Sequence, residues 1–304
     1  SVDAIKFQTF KPSEITTKFN VNVNYVKKNT GDNNYRLLEK LALDYEDFKK
    51  IKDYCEKKKI LFLSTPDGKE SLHYLTEILG LKIIKVGSTE ITNLKYLKEI
   101  SRKNTAVILS TGISNLDEVT KAFNCFINKK YKDICVLHCT SEYPAPDNEI
   151  NIKAMNSIRT KLGCSVGFSD HSIGNEASIS AVSLGADVIE KHFTSDKNLK
   201  GPDHSASMDP YELKQFVLSI RRTEKMLGSG VKKASPSELK NIYGIRRGIN
   251  ASTNLKKGIL IKKEHLVFKR PFLGINPEDS SKMIGKTLII DLEADQPILW
   301  KYLK

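Results

Sequence analysis

Residues 167–174 read GFSDHSIG and residues 186–194 read ADVIEKHFT. Two strand-like runs, Cys164–Ser172 and Ala186–Thr194, each carry a histidine near their end, and a helix-like segment, Gly174–Gly185, joins them. Side chains alternate faces along a strand, so Ser169 and His171 share one face, and Glu190, His192 and Thr194 share one face of the next. Strands joined by a crossover helix lie parallel, with their C-terminal ends on the same side of the sheet. Both imidazoles are therefore expected at one edge, beside carboxylates and hydroxyls. Such a pair fits a metal site with open positions, or two core histidines satisfied by hydrogen bonds.

The same unit repeats outward from this stretch, although the sequences do not. Apolar, β-branched runs predict strands over residues 2–10, 60–66, 82–88, 105–112 and 133–141. Helices are predicted over 45–59, 69–79, 94–103, 116–128 and 152–162, with a closing helix over 210–227. Short apolar strands are those of a parallel sheet buried on both faces. Alternation of this length predicts a (β/α)8 TIM barrel as residues 1–227. Seven strands are counted, so the first strand and its helix are expected to be missing and the chain to be part of a longer one. An open doubly wound sheet is the alternative, but no Gly-rich dinucleotide fingerprint follows any strand. Residues 228–244 read as a polar linker. From residue 245 to 304, RRGINASTNLKKGILI, LVFKRPFLGI and KTLIIDLEADQPI predict a separate small β-rich domain.

Composition narrows the function. The 304 residues are 39% hydrophobic and 28% charged, which is globular. No apolar run approaches the ~20 residues of a membrane span, and no signal peptide opens the chain. Five cysteines without a CxxC pair read as reduced thiols of a cytoplasmic protein. The formal charge of +13 invites a nucleic-acid reading, but the lysines are scattered among acidic residues on helix faces, as in EDFKKIKDYCEKKK. Neither nucleic acid nor membrane is expected as a partner.

Functional groups of a parallel barrel gather at the C-terminal strand ends. Here those ends read KFQT, STPD, IKVGST, LSTG, HCTSEYP, FSDH and EKHFT. A single Ser or Thr there often caps the following helix; seven polar ends together suggest a site. Lys6 and Gln8 share a face of the first strand, and Lys85 lies on the third. With Thr65, Ser88, Ser110, Ser141 and Ser169 they would form a donor-rich hollow suited to phosphate and carboxylate oxygens. Either lysine alone is equally compatible with an outward, snorkelling position.

The motifs KFQTF, FLSTP, IIKVGSTEITN, ILSTG, LHCTSEYPAP, GFSDHSIG, VIEKHFT and GPDHSASM occur in this order over almost the whole chain. In them the chain resembles the sialic acid synthase family, which makes N-acetylneuraminate, legionaminate and pseudaminate. The C-terminal module, with FKRP after its middle strand, resembles that family's antifreeze-like (SAF) domain. The resemblance implies joining of phosphoenolpyruvate to the open-chain aldehyde of an N-acetylated hexosamine, with release of phosphate. It implies that His171 and His192 hold a divalent metal, commonly manganese, with magnesium or cobalt as alternatives. Lys6, Thr65, Lys85, Ser88, Ser110, Ser141 and Ser169 would bind phosphoenolpyruvate, and Gln8, Tyr143 and Asp203 the amino sugar. Arg270 would reach the sugar's acetamido group from a partner's C-terminal domain, which requires a domain-swapped homodimer. Glu190 shares a face with His192 and is either a proton carrier or a structural carboxylate bonded to Lys or Ser donors.

Three departures stand out. Ser141 stands where some members have Asn, Asp67 where Phe is frequent, and the opening IAEIGxNHxG strand with its glutamate is absent. LHCTSEYPAP and GSTEITN lean toward legionaminate-type members without settling which sugar is used. Another phosphoenolpyruvate-using aldol-type synthase, which should lack the FKRP module, is the alternative enzyme; an inactive assembly or binding protein is the alternative outside catalysis.

Overall fold

The structure is a computed structural model that describes residues 2–17, 34–126, 128, 133–201 and 203–304. It divides into two compact units, Ser1–Gly228 and Ser229–Lys304. In the first, seven strands follow one another: β1 (Ala4–Phe10), β2 (Leu61–Asp67), β3 (Ile83–Val86), β4 (Ala106–Ser110), β5 (Ile134–Cys139), β6 (Ser165–Asp170) and β7 (Ile189–Lys191). β1 pairs with β2, and β3 to β7 form a parallel sheet in sequence order. β2 lies alongside β3.

The sheet is strongly curled. In a flat sheet, strands six places apart would stand about 29 Å from each other. Here Lys6 Nζ on β1 lies 3.2 Å from Glu190 Oε1 on β7. Arg221 of the helix Pro210–Leu227 likewise ion-pairs with Asp3, beside β1. This is a parallel α/β barrel fold.

Strand periodicity sorts the side chains. Phe62, Ile84, Val86, Val107, Leu109, Ile134, Val136, Val166 and Phe168 belong to the apolar layer that packs beneath the helices. Their alternates (Thr65, Lys85, Ser110, Cys139, Ser169 and Glu190) face the barrel interior. The strands are thus apolar on the helix side and polar inside near their C-terminal ends, where the sequence predicts burial on both faces.

Several elements differ from expectation. The residue 69–79 helix is an α-helical turn, Lys69–His73, followed by a π-helical one, Tyr74–Ile78. Helices Pro12–Ile15 and Asn34–Leu41 lie between the first strand and the residue 45–59 helix, where none is predicted. The 228–244 linker contains a short helix, Pro236–Lys240, opened by a Ser235–Glu238 capping box, and a second, Ile242–Ile245, crosses its end.

One buried ion pair fastens β6 to β7 on the helix side. Lys191 Nζ lies 3.0 Å from Asp170 Oδ2, with both side chains almost fully buried. The Ser172 hydroxyl and amide and the Ser178 hydroxyl donate to the same carboxylate. Lys191→Met leaves that charge without its cation, and urea unfolding is expected to show a loss of about 3–5 kcal/mol. A change below about 1 kcal/mol would show that the three donors suffice.

The second unit is β-rich around its own core of Ile249, Leu255, Ile261, Ile275, Met283, Leu288, Leu292 and Ile298. β8 (Gly248–Ala251) pairs antiparallel with β9 (Leu266–Lys269). All five cysteines are free. Among the described residues, no helix is long and apolar enough to cross a membrane.

Candidate active site

Three groups of side chains meet at the C-terminal end of the barrel. The first is cationic. Lys6 and Lys85 both point inward, and their ammoniums lie 3.2 and 3.6 Å from Glu190 Oε1. Lys85 also donates to Ser110 Oγ (2.6 Å), and Ser169 Oγ donates to Glu190 (2.9 Å). Burial opposes ionisation of Glu190, but Lys85 and Lys6 outweigh it and hold the carboxyl at about 2. Burial lowers Lys85 to about 8 despite Glu190. Of the two roles open to Glu190, its surroundings are those of the bonded carboxylate.

The second group is neutral. Ser88 Oγ accepts from the Gly112 amide (2.9 Å) just after β4. A Cβ at Gly112 would lie 2.0 Å from Ser141 Oγ and 3.0 Å from Ser88 Oγ, so the bare glycine admits both hydroxyls. Thr65 is buried beside Gly87. Gly112→Ala is expected to turn the Ser141 hydroxyl away and weaken anion binding about tenfold, with little change in melting temperature. Thermal-shift titration with phosphoenolpyruvate reads this; unchanged affinity would show that Ser141 is not needed.

The third group is aromatic. The His171 and His192 rings lie edge to face, with centroids 5.3 Å apart, and Tyr143 packs on His171 at 4.1 Å. His171 Nδ1 lies 2.6 Å from the Thr140 carbonyl, which only accepts. The proton is thereby placed on Nδ1, and Nε2 keeps a free lone pair. Burial lowers the pKa of both rings, His192 to about 3 with His171 adding to the effect. Asp203 Oδ2 stands 4.0 Å from His192 Nδ1, while its Oδ1 is buried without a hydrogen-bond partner. Two neutral imidazoles with an orphaned carboxylate oxygen nearby are chemically suited to a divalent cation, though among the described residues no three His, Cys, Asp or Glu side chains gather into a fuller cage.

The first strand of the site carries Gln8, which is exposed and pairs in register with Thr65 of β2. Arg270 follows β9 in the C-terminal unit and is exposed there. Two contributors were not picked out from sequence. Gly112 shows its role only through the hydroxyls that close on it. Cys139 ends β5 with its Sγ 3.8 Å from His171 Nδ1; its position two residues before Ser141, on the same face, was the available signal.

A barrel that gathers lysines, hydroxyls and neutral imidazoles at one mouth is that of an enzyme acting on an anionic substrate. The chain belongs to the NeuB family, whose model matches residues 1–232; a SAF domain model matches residues 246–304. It is 44% identical over 300 residues to the N,N'-diacetyllegionaminic acid synthase of Campylobacter jejuni, covering 97% of this chain and 90% of that protein. To the synthase of the same name from Legionella pneumophila it is 40% identical over 308 residues, covering 99% and 86%. The crystal structure of N-acetylneuraminic acid synthetase from Leptospira borgpetersenii in complex with citrate superposes with a TM-score of 0.67 at 33% identity, covering 79% of each chain.

Proposed function

We propose that this protein condenses phosphoenolpyruvate with the open-chain form of an N-acetylated hexosamine to a nonulosonic acid, releasing phosphate. The observation that carries this reading is the junction of the Lys6–Lys85–Ser110–Ser169 cluster with the neutral His171–His192 pair in one barrel mouth. The names of the two legionaminic acid synthase relatives favour a diacetamido hexose over N-acetylmannosamine as acceptor.

Lys6 and Lys85 bind the highly charged anion, helped by Thr65, Ser110 and Ser169 and by the hydroxyls of Ser88 and Ser141. Fixed donors hold C3 of phosphoenolpyruvate at bonding distance from the aldehyde carbon. The carbon–carbon bond forms there, water adds at C2, and the tetrahedral intermediate loses phosphate by cleavage of its C2–O bond. Glu190, ionised at neutral pH, orients both ammoniums rather than carrying the proton. Gln8, Tyr143 and Asp203 line the sugar side. A divalent ion held by His171 and His192, manganese in this reading with magnesium or cobalt as substitutes, supplies Lewis acidity at the aldehyde carbonyl. Five free thiols fit action in the reducing cytoplasm.

Incubation with phosphoenolpyruvate and either acceptor, followed by phosphate assay and mass spectrometry, tests the reading. A product equal in mass to acceptor plus pyruvate supports it; phosphate release that ignores the acceptor sinks it.

The reading includes a two-fold dimer in which Arg270 serves the site of a second copy, its guanidinium donating to the sugar's acetamido oxygen. Mixed Arg270→Ala and His171→Ala subunits are expected to regain activity, since each exchanged dimer holds one site free of both lesions. Demonstrated exchange without recovery would confine Arg270 to its own subunit or to no site.

A further inference from the structure

His138, the histidine of LHCTSEYPAP, has no part in the proposed mechanism. It pairs in register with Phe168 of β6, and the two ring centroids lie 5.9 Å apart. Phe168 belongs to the apolar layer beneath the helices, so His138 faces the helix side of the sheet rather than the mouth. Its Nε2 lies 2.7 Å from the Ile150 carbonyl, which only accepts, so the proton sits on Nε2. Burial lowers the pKa of the ring although that carbonyl favours the charged form, which leaves a neutral donor near pH 7.

Residues 140–150 leave the end of β5, pass over the mouth and return to the point they left. Two residues beyond His138, the Thr140 hydroxyl donates to the Glu149 carbonyl (3.3 Å). Two successive carbonyls of the returning chain are thus tied to the end of β5, and the His138 tie is the shorter and less exposed. Ala145 and Ile150 bury their side chains in the main apolar core, and the Ala145 amide donates to the His171 carbonyl (3.0 Å). Between these ties the loop delivers two groups to the His171 ring: the Thr140 carbonyl at Nδ1 and the Tyr143 ring against its face.

We propose that His138 is a positioning residue that clasps the residue 140–150 loop shut and so holds the Thr140 carbonyl and the Tyr143 ring against His171. The consequence for a metal rests on the reading of the His171–His192 pair given above. Without its donor, the Ile150 carbonyl turns to water and the two ends of the loop part. The Thr140 carbonyl is then no longer fixed at Nδ1, either nitrogen of His171 can carry the proton, and the Nε2 lone pair is no longer reserved for a ligand.

The test replaces His138 by Phe, which keeps a ring against Phe168 without the donor, and by Gln, whose amide nitrogen can stand where Nε2 did. Two-bond proton–nitrogen NMR correlation of the imidazoles in the metal-free full chain reads the tautomer of His171, assigned by its loss in His171→Ala. Wild type and His138→Gln are expected to show the Nδ1–H form alone, and His138→Phe a mixture of the two tautomers. Calorimetric titration is expected to show the manganese Kd rising about tenfold in His138→Phe, the effect of loosening a group that orients a ligand, and recovering in His138→Gln. A merely structural role would lower the melting temperature of His138→Phe without moving the tautomer. Should His138→Phe fail to fold, His138→Asn takes its place, since its amide nitrogen stands where Nδ1 did and falls short of the carbonyl. An unchanged His171 tautomer in the folded variant, or the same shift in His138→Gln, would overturn the inference. Absence of manganese binding by the wild type would overturn the metal reading, and the tautomer would then decide the inference alone. No turnover by the wild type with any N-acetylated acceptor would overturn only the functional reading, because neither measurement uses substrate.

Discussion

Exchange of either His171 or His192 for alanine is expected to lower turnover by about a thousandfold, several kcal/mol of barrier. The Thr140 carbonyl fixes the tautomer of His171. The Ala145 amide donates to the His171 carbonyl and the Met208 amide to that of His192, so the backbone under each ring is pinned without help from the imidazole. Loss of either ring should therefore leave the barrel folded. Calorimetric titration with manganese, independent of activity, is expected to show binding by the wild type and none by the variants. Substantial turnover by both variants in metal-free buffer would refute the role of the pair.

Lys85→Met is expected to reduce kcat/KM for phosphoenolpyruvate by about 100- to 1,000-fold, the effect of removing one preorganised donor from a water-excluded site. Lys85 is almost fully buried and spans Ser110 and Glu190, so no water or neighbouring cation replaces it readily. The pH dependence has a definite sign. In the proposed reaction the ammonium is the binding form, and burial lowers the pKa of Lys85 to about 8. Phosphoenolpyruvate kcat/KM is therefore expected to be level below that pH and to fall as pH rises through it. Glu190, held at about 2, stays ionised throughout and contributes no limb near neutrality. A profile flat to pH 10 would show that another group carries the anion's charge.

Much of this was legible as periodicity. In GFSDHSIG and ADVIEKHFT, the period of two alone sets Ser169 and His171, and Glu190 and His192, apart from Asp170 and Lys191. The structure puts the first set in the barrel mouth and joins Asp170 to Lys191 on the other side. DPYE ahead of an amphipathic run marks the start of Pro210–Leu227, where Asp209 and Glu212 form a capping box. The same signal, SPSE at residues 235–238, lies within the polar composition of the linker and starts the helix Pro236–Lys240.

Other features were out of reach because they join residues far apart in the chain. Whether Lys6 faced inward was undecidable on β1 alone; it depends on Glu190, 184 positions later, arriving beside it. Gly112 looked like an ordinary loop glycine until Ser141 and Ser88 closed on its α-carbon. Asp67 stood out only as a replacement for Phe, with no sign that Tyr96 clamps its turn.

By itself, the sequence determined the order of the seven strands, which residues of a strand share a face, and the residue types at the barrel mouth, since all three follow from local periods and from motif order. Only the tertiary structure decided which of those residues touch and which are charged. Curling of the sheet brings β1 to β7, and burial then sets protonation: Glu190 ionised between two lysines, both imidazoles neutral, and Lys85 poised near pH 8. Ionisation depends on desolvation and on neighbouring charge, and neither exists until the chain has folded.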